Sequence, residues 1–138
     1  MRGIDISNWQ AGISPSALPI DFCICKATEG IGYTDPYCDG FIENCKAGNK
    51  LWGFYHFARE NEPEDEAQYF YDECKGYFNH GIPVLDYETS NYNNKDWCER
   101  FLNRLHELSG QEGLEPLGKA VASRLHGNLI CAMVGFRG

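Results

Sequence analysis

The sequence predicts a parallel α/β fold of the (β/α) barrel type, and three observations carry that expectation. Short apolar segments alternate with stretches of helical spacing, the pattern of a parallel sheet joined by crossover helices. Each strand-plus-helix unit takes about 30 residues, the rhythm of a (β/α) barrel. Polar residues gather where the strands end, which is where parallel folds build their sites. On pattern alone, a flavodoxin-like open sheet is the alternative.

Composition bounds the answer. The chain has 138 residues, 43% hydrophobic and 23% charged, which suits one packed domain and excludes disorder, collagen and coiled coil. No apolar run reaches the roughly 18–20 residues of a membrane span. The opening Met1-Arg2-Gly3-Ile4-Asp5 has no apolar stretch before it, so no signal peptide is expected, and synthesis in the cytoplasm is. A net charge of −8 and a pI near 4.9 argue against nucleic acid and anionic membrane surfaces as partners. Aromatics reach 14%; in an acidic protein they suit stacking on neutral, hydroxyl-rich ligands such as sugars, or simply fill the core.

The elements follow in order. Gly3-Ile4-Asp5-Ile6-Ser7 is a short strand, and Phe22 to Thr28 is a second, ending in Glu29-Gly30. Asp35-Pro36 reads as an N-cap with proline at the first helical position, opening a helix through Phe41, Ile42 and Cys45 that stops near Gly48. Leu51 to Phe57 is the third strand. Glu62-Pro63-Glu64-Asp65-Glu66 places acids in the first turn of the next helix, where the helix dipole favours them, and reads as a solvated helix start. Ala67, Phe70, Tyr71, Cys74 and Phe78 continue it at helical spacing. Ile82 to Glu88 is the fourth strand, and Trp97, Phe101, Leu102, Leu105 and Leu108 mark a third helix closed by Gly110.

Residues 111–138 differ. Residues 1–110 carry 9 basic and 18 acidic side chains against 3 and 2 in this tail, and Phe136 is its single aromatic. Pro116 to His126 is expected as a short helix and Leu129 to Phe136 as a strand. The chain therefore divides into residues 1–110 and an atypical tail, 111–138.

Seven cysteines, an odd number with no CxxC pair, argue against a zinc ribbon or a thioredoxin-like motif. Cys23 and Cys25, two apart in an apolar strand, point the same way and are poorly placed to bridge; they read as buried, reduced thiols.

The chemistry is expected at Asp86 and Glu88. Two residues apart in a strand, both side chains face one side with Cα atoms about 6.6–6.8 Å apart. Packing gives no reason to end the apolar run Ile82-Pro83-Val84-Leu85 with two same-facing acids. Neighbouring carboxylates repel, so one gains a raised pKa while the other stays ionised, the division a general acid and a stabilising carboxylate need. Asp5 stands in the matching place on the first strand. A metal site from His56, Asp5, Asp86 and Glu88 is an alternative without supporting spacing, since no HxH or HExxH occurs; His56 reads more simply as a hydrogen-bonded core or loop histidine.

Four segments in order, Gly3-Ile4-Asp5-Ile6-Ser7-Asn8-Trp9-Gln10, Lys26-Ala27-Thr28-Glu29-Gly30 with Tyr33 and Asp35 following, Gly53-Phe54-Tyr55-His56-Phe57-Ala58, and Pro83-Val84-Leu85-Asp86-Tyr87-Glu88, resemble the glycoside hydrolase family 25 lysozymes, the muramidases of phages, bacteria and fungi. The resemblance covers about residues 3–110. It implies a (β/α) barrel that cleaves the β-1,4 bond between N-acetylmuramic acid and N-acetylglucosamine in peptidoglycan. It also implies Glu88 as general acid, Asp86 supporting the reacting N-acetyl group or positive charge, Asp5 completing the acidic cluster, and Glu29, Tyr55 and Tyr87 as sugar contacts. It implies no metal and no organic cofactor. Bacterial cell-wall peptidoglycan is then the expected partner, reached after release from the cell in the manner of a phage endolysin. The later strands of the family are not recognisable after Gly110, so the expectation is an incomplete barrel of about four or five parallel strands. An exposed sheet edge would offer a surface for oligomerisation. An inactive remnant or glycan-binding fragment, and a metal-dependent hydrolase on a similar barrel, are the alternative functions.

Overall fold

The computed structural model describes residues 2–88, 95–110, 121–125 and 128–132. In chain order the elements are β1 (Gly3–Ile6), β2 (Phe22–Glu29), β3 (Tyr33–Thr34), α1 (Cys38–Ala47), β4 (Leu51–Phe57), α2 (Pro63–Cys74), β5 (Ile82–Tyr87), α3 (Lys95–Ser109), β6 (Val121–Leu125) and β7 (Asn128–Ala132). The sheet order is β1-β2-β4-β5-β7-β6, with β3 pairing on the end of β2. Strands β1, β2, β4 and β5 are parallel neighbours, as the alternating pattern predicts. Among the described residues the sheet is open, with β1 and β6 at its edges.

Period-two alternation sorts these strands into two faces. On one, Ile6, Cys23, Cys25, Ala27, Phe54, Leu85 and Tyr87 pack with Phe41, Ile42 and Cys45 of α1, Phe70 of α2 and Phe101 and Leu105 of α3 in one buried core. Aromatic rings join the layers: Phe54 lies 5.5 Å from Phe70, and Trp97 stacks on Phe101 at 5.5 Å. The aromatic surplus is thus largely core, the simpler of its two readings. Gly53 is required where β4 and β5 approach, since a Cβ there would come 2.7 Å from the Ile82 carbonyl oxygen. Gly110, at φ +56°, ends α3 in the left-handed conformation that favours glycine at helix C-termini.

Three expectations are corrected. Asp35 does not cap α1, which begins at Cys38. Its buried carboxylate instead accepts the backbone N–H groups of Asn8 and Tyr37, each at 2.9 Å, tying the turn after β1 to the start of α1. The helix expected over Pro116 to His126 is strand β6 over Val121–Leu125, paired antiparallel with β7; residues 116–120 and 126 lie outside the described residues. The strand expected from Leu129 is found as Asn128–Ala132, with 133–136 outside the described residues. The open backbone groups along β5 explain the change: β7 pairs antiparallel with β5 from Val84↔Ala132 to Tyr87↔Leu129. A weak local helical pattern cannot match a ladder of hydrogen bonds on an otherwise unpaired edge. Strand β5 is therefore covered on both sides, by β4 and β7.

Candidate active site

The second face of the sheet carries the polar residues. Alternation places Asp5, Lys26, Tyr55 and Asp86 on it, opposite the side that packs the helices, and Glu88 follows two residues after Asp86. Tyr55 is buried, and its hydroxyl is raised above the ordinary tyrosine range, first by burial and then by the negative charges of Asp5, Asp86, Asp35 and Glu88. The structure thus brings together Asp5, Tyr55, Asp86 and Glu88 from three strand ends.

Asp86 is the perturbed member. Its carboxyl is pushed up to about 8, first by burial, then by the charge of Glu88 and a hydrogen bond with it, and then by Asp5, against the opposing charge of Lys26. Its Oδ1 is buried and has no hydrogen-bond partner among the described residues. Its surroundings therefore favour the protonated form of Asp86.

Glu29 and Lys26 form the flank. Lys26 Nζ lies 2.6 Å from Glu29 Oε1 and 5.2 Å from the ring centres of both Tyr33 and Phe57. Arg59, in the loop after β4, donates Nε–H to Glu29 Oε2 at 2.9 Å and approaches it with Nη2 as well. Burial works to raise the Glu29 carboxyl, but hydrogen bonds and charge from Lys26 and Arg59 outweigh it and hold it below the usual range. Glu29 therefore stands at the site already engaged by two cations.

Tyr87, expected as a sugar contact, and His56, the alternative metal ligand, lie elsewhere. Tyr87 is 3% exposed and packs its ring 5.4 Å from that of Trp97 on α3; lying between Asp86 and Glu88, it must face the other side of the strand. His56, one residue after Tyr55, also faces the helices, so it cannot share a metal with Asp5, Asp86 and Glu88. It is fully buried, stacks on Phe101 at 5.2 Å and bonds Thr28 Oγ1 and Glu66 Oε1, each at 2.7 Å. Burial lowers its pKa, against the opposing pull of Glu66.

Glu66 is not the solvated helix-start acid of the sequence reading. It is 0% exposed. Oε1 accepts His56 and the Arg59 N–H, while Oε2 accepts the N–H and side-chain amide of Asn61. Four donors converge on one carboxylate, so His56 donates from Nε2 and accepts the Thr28 hydroxyl at Nδ1. This network fixes the loop that carries Arg59. One cue was legible, since Glu66 sits four residues before Phe70 and shares its helical face. Lys26 had a clearer cue, a lone cation inside the apolar strand Phe22-Cys23-Ile24-Cys25.

Comparison with known proteins matches this architecture. The family model described as "Glycosyl hydrolases family 25" matches residues 4–115. An autolytic lysozyme of Clostridium acetobutylicum is 35% identical over 79 residues, covering 55% of this chain and 24% of its own. Lysozyme M1 of Streptomyces globisporus is 36% identical over 96 residues, covering 64% of this chain and 33% of its own. The N,O-diacetylmuramidase of a Chalaropsis species is 30% identical over 132 residues, 80% of this chain and 63% of its own. The chain thus spans between a quarter and two thirds of the length of these relatives. Among solved structures, a lysozyme from Streptomyces coelicolor superposes with a TM-score of 0.67 at 25% identity, covering 80% of this chain and 59% of that one. Because the family model spans residues 4–115 of the 138, the chain belongs to glycosyl hydrolase family 25.

Proposed function

We propose that this chain carries the acidic half of a muramidase site and hydrolyses the β-1,4 bond between N-acetylmuramic acid and N-acetylglucosamine in bacterial peptidoglycan. The observation that carries this reading is the Asp86–Glu88 pair at the end of β5, with one carboxyl neutral well above its ordinary range and Asp5 beside it. In the reaction, the proton held at Asp86 passes along its hydrogen bond to Glu88, which delivers it to the leaving glycosidic oxygen. Asp86, then ionised, orients the substrate's N-acetyl group as that group meets the developing positive charge at the anomeric carbon. Asp5 adds negative charge to the same region, and Tyr55 supplies an undissociated hydroxyl to the sugar. Lys26, held by Glu29, limits how far the acids raise one another. The substrate's own N-acetyl group takes part, so carboxylate separation does not decide between retention and inversion here.

The cell wall is the place of action, and release in the manner of a phage endolysin fits an acidic catalytic module. Among the described residues, no helix is long and apolar enough to cross a membrane.

Turbidity clearing of purified Gram-positive cell walls by the chain and its Glu88→Gln variant tests the reading. Clearing by the wild type and loss of nearly all turnover in Glu88→Gln, about 10²–10⁴-fold, is expected for removal of a general acid. Equal clearing by both removes Glu88 from the mechanism. A second reading, glycan binding without turnover, draws on the sheet, which is open among the described residues with β1 and β6 at its edges. Sedimentation with cell walls in the absence of clearing would favour it.

A further inference from the structure

On the helix-facing side, away from the acids, three thiols meet. Cys23 and Cys25 of β2 and Cys45 in the last turn of α1 are each 0% exposed, and their Sγ atoms all lie within 4.8 Å of one another. We propose that Cys23, Cys25 and Cys45 form a three-thiolate site for a soft divalent metal ion that clamps α1 to β2.

The geometry fits such an ion. Three sulfurs in a plane, each about 2.3 Å from a common centre, are about 4.0 Å apart, and Cys23 Sγ and Cys25 Sγ are 3.9 Å apart. Thiolate sulfur selects zinc and its softer relatives over hard cations such as magnesium or calcium. The strand spacing that turns Cys23 and Cys25 to one face also separates their Cα atoms by about 6.6–6.8 Å, the far limit for a disulfide. Cys45 could bridge one of them at most, leaving a thiol over, whereas a metal uses all three.

Charge supports the same assignment. Lys50 places a positive charge within electrostatic reach of Cys45. Three thiolates around a divalent ion carry one net negative charge, and Lys50 offsets it; burial makes that offset necessary. The remaining buried thiols differ, because no three of their metal-binding atoms come together among the described residues. Binding releases protons and adds its free energy to folding, since the unfolded chain holds no such cage.

Cadmium(II) is the probe. The full chain, reduced and refolded with increasing Cd(II), should develop a thiolate-to-metal charge-transfer band that saturates at one equivalent, together with a raised thermal midpoint. Cys45→Ser and Cys25→Ala should lose the band, while Cys98→Ser on α3 should keep it, and Zn(II) should compete for the site. Absence of a saturable band in the wild type overturns the proposal irrespective of how the variants fold. A band kept in folded Cys25→Ala, or a disulfide from Cys45 formed in place of metal uptake, overturns it as well.

Discussion

Two acids in this molecule, Glu66 behind the sheet and Asp86 on its other face, occupy low-dielectric surroundings with opposite provisions. Glu66 receives four donors and has no lone pair left for anything else. Asp86 has a buried oxygen with no partner among the described residues and two acids for neighbours. A buried polar group left unsatisfied is costly, and such a cost persists where the group has work to do. The satisfied acid organises the loop; the unsatisfied one keeps an oxygen with no partner among the described residues.

Removing the satisfied acid should have the largest effect on stability. Glu66→Ala strands the Asn61 and Arg59 N–H groups and the His56 ring at once, and should cost about 3–5 kcal/mol, the range for breaking a buried charged network. Urea denaturation measures it, and a loss below about 1 kcal/mol would remove the distinction between the two acids.

Asp86→Asn should behave in the opposite way, losing nearly all activity while gaining about 1–2 kcal/mol of stability, as expected where a site is strained for function. The gain depends on pH. In the unfolded chain this carboxyl ionises near the ordinary aspartate value, whereas in the fold it holds its proton to about 8. Between those values the native state binds the extra proton, so its stability falls as pH rises through the window. The advantage of the variant should therefore be small at about pH 4 and reach its full size at about pH 9. Denaturation at the two pH values checks it; a gain that shrinks with rising pH would place the proton elsewhere.

Arg59 sharpens the comparison at the small end. Its side chain is 58% exposed where it meets Glu29, so Arg59→Ala should cost less than about 1 kcal/mol in stability. Its backbone N–H, which serves Glu66, is retained in the variant. A loss as large as that of Glu66→Ala would show that the side chain and not the loop matters.

Residues whose roles follow from spacing were the legible ones. Asp86 and Glu88 had to share a face, and Cys23 and Cys25 likewise, because strand alternation is a property of the backbone. By the same rule Tyr87 had to turn away from the acids, a consequence masked by its place inside a motif. The pairing of His56 with Glu66 was beyond reach for another reason. They are ten residues apart on different elements, and nothing in either segment marks one as the other's partner. Glu66 resembles its neighbours Glu64 and Asp65 until Phe70 turns its helical face inward.

The tail marks the same boundary. From residues 116–126 the local pattern favours a helix, yet Val121–Leu125 is a strand in a hairpin added antiparallel to β5. The sequence by itself determined the parallel strand order, the family and the acids that share the end of β5, since these rest on periodicity and local motifs. Only the tertiary structure decided which acid is satisfied and which is strained, that β5 is covered by β7, and that α1 delivers Cys45 to the two thiols of β2. Those outcomes depend on contacts between segments far apart in the chain, where an unpaired edge or an unsatisfied buried group outweighs local preference.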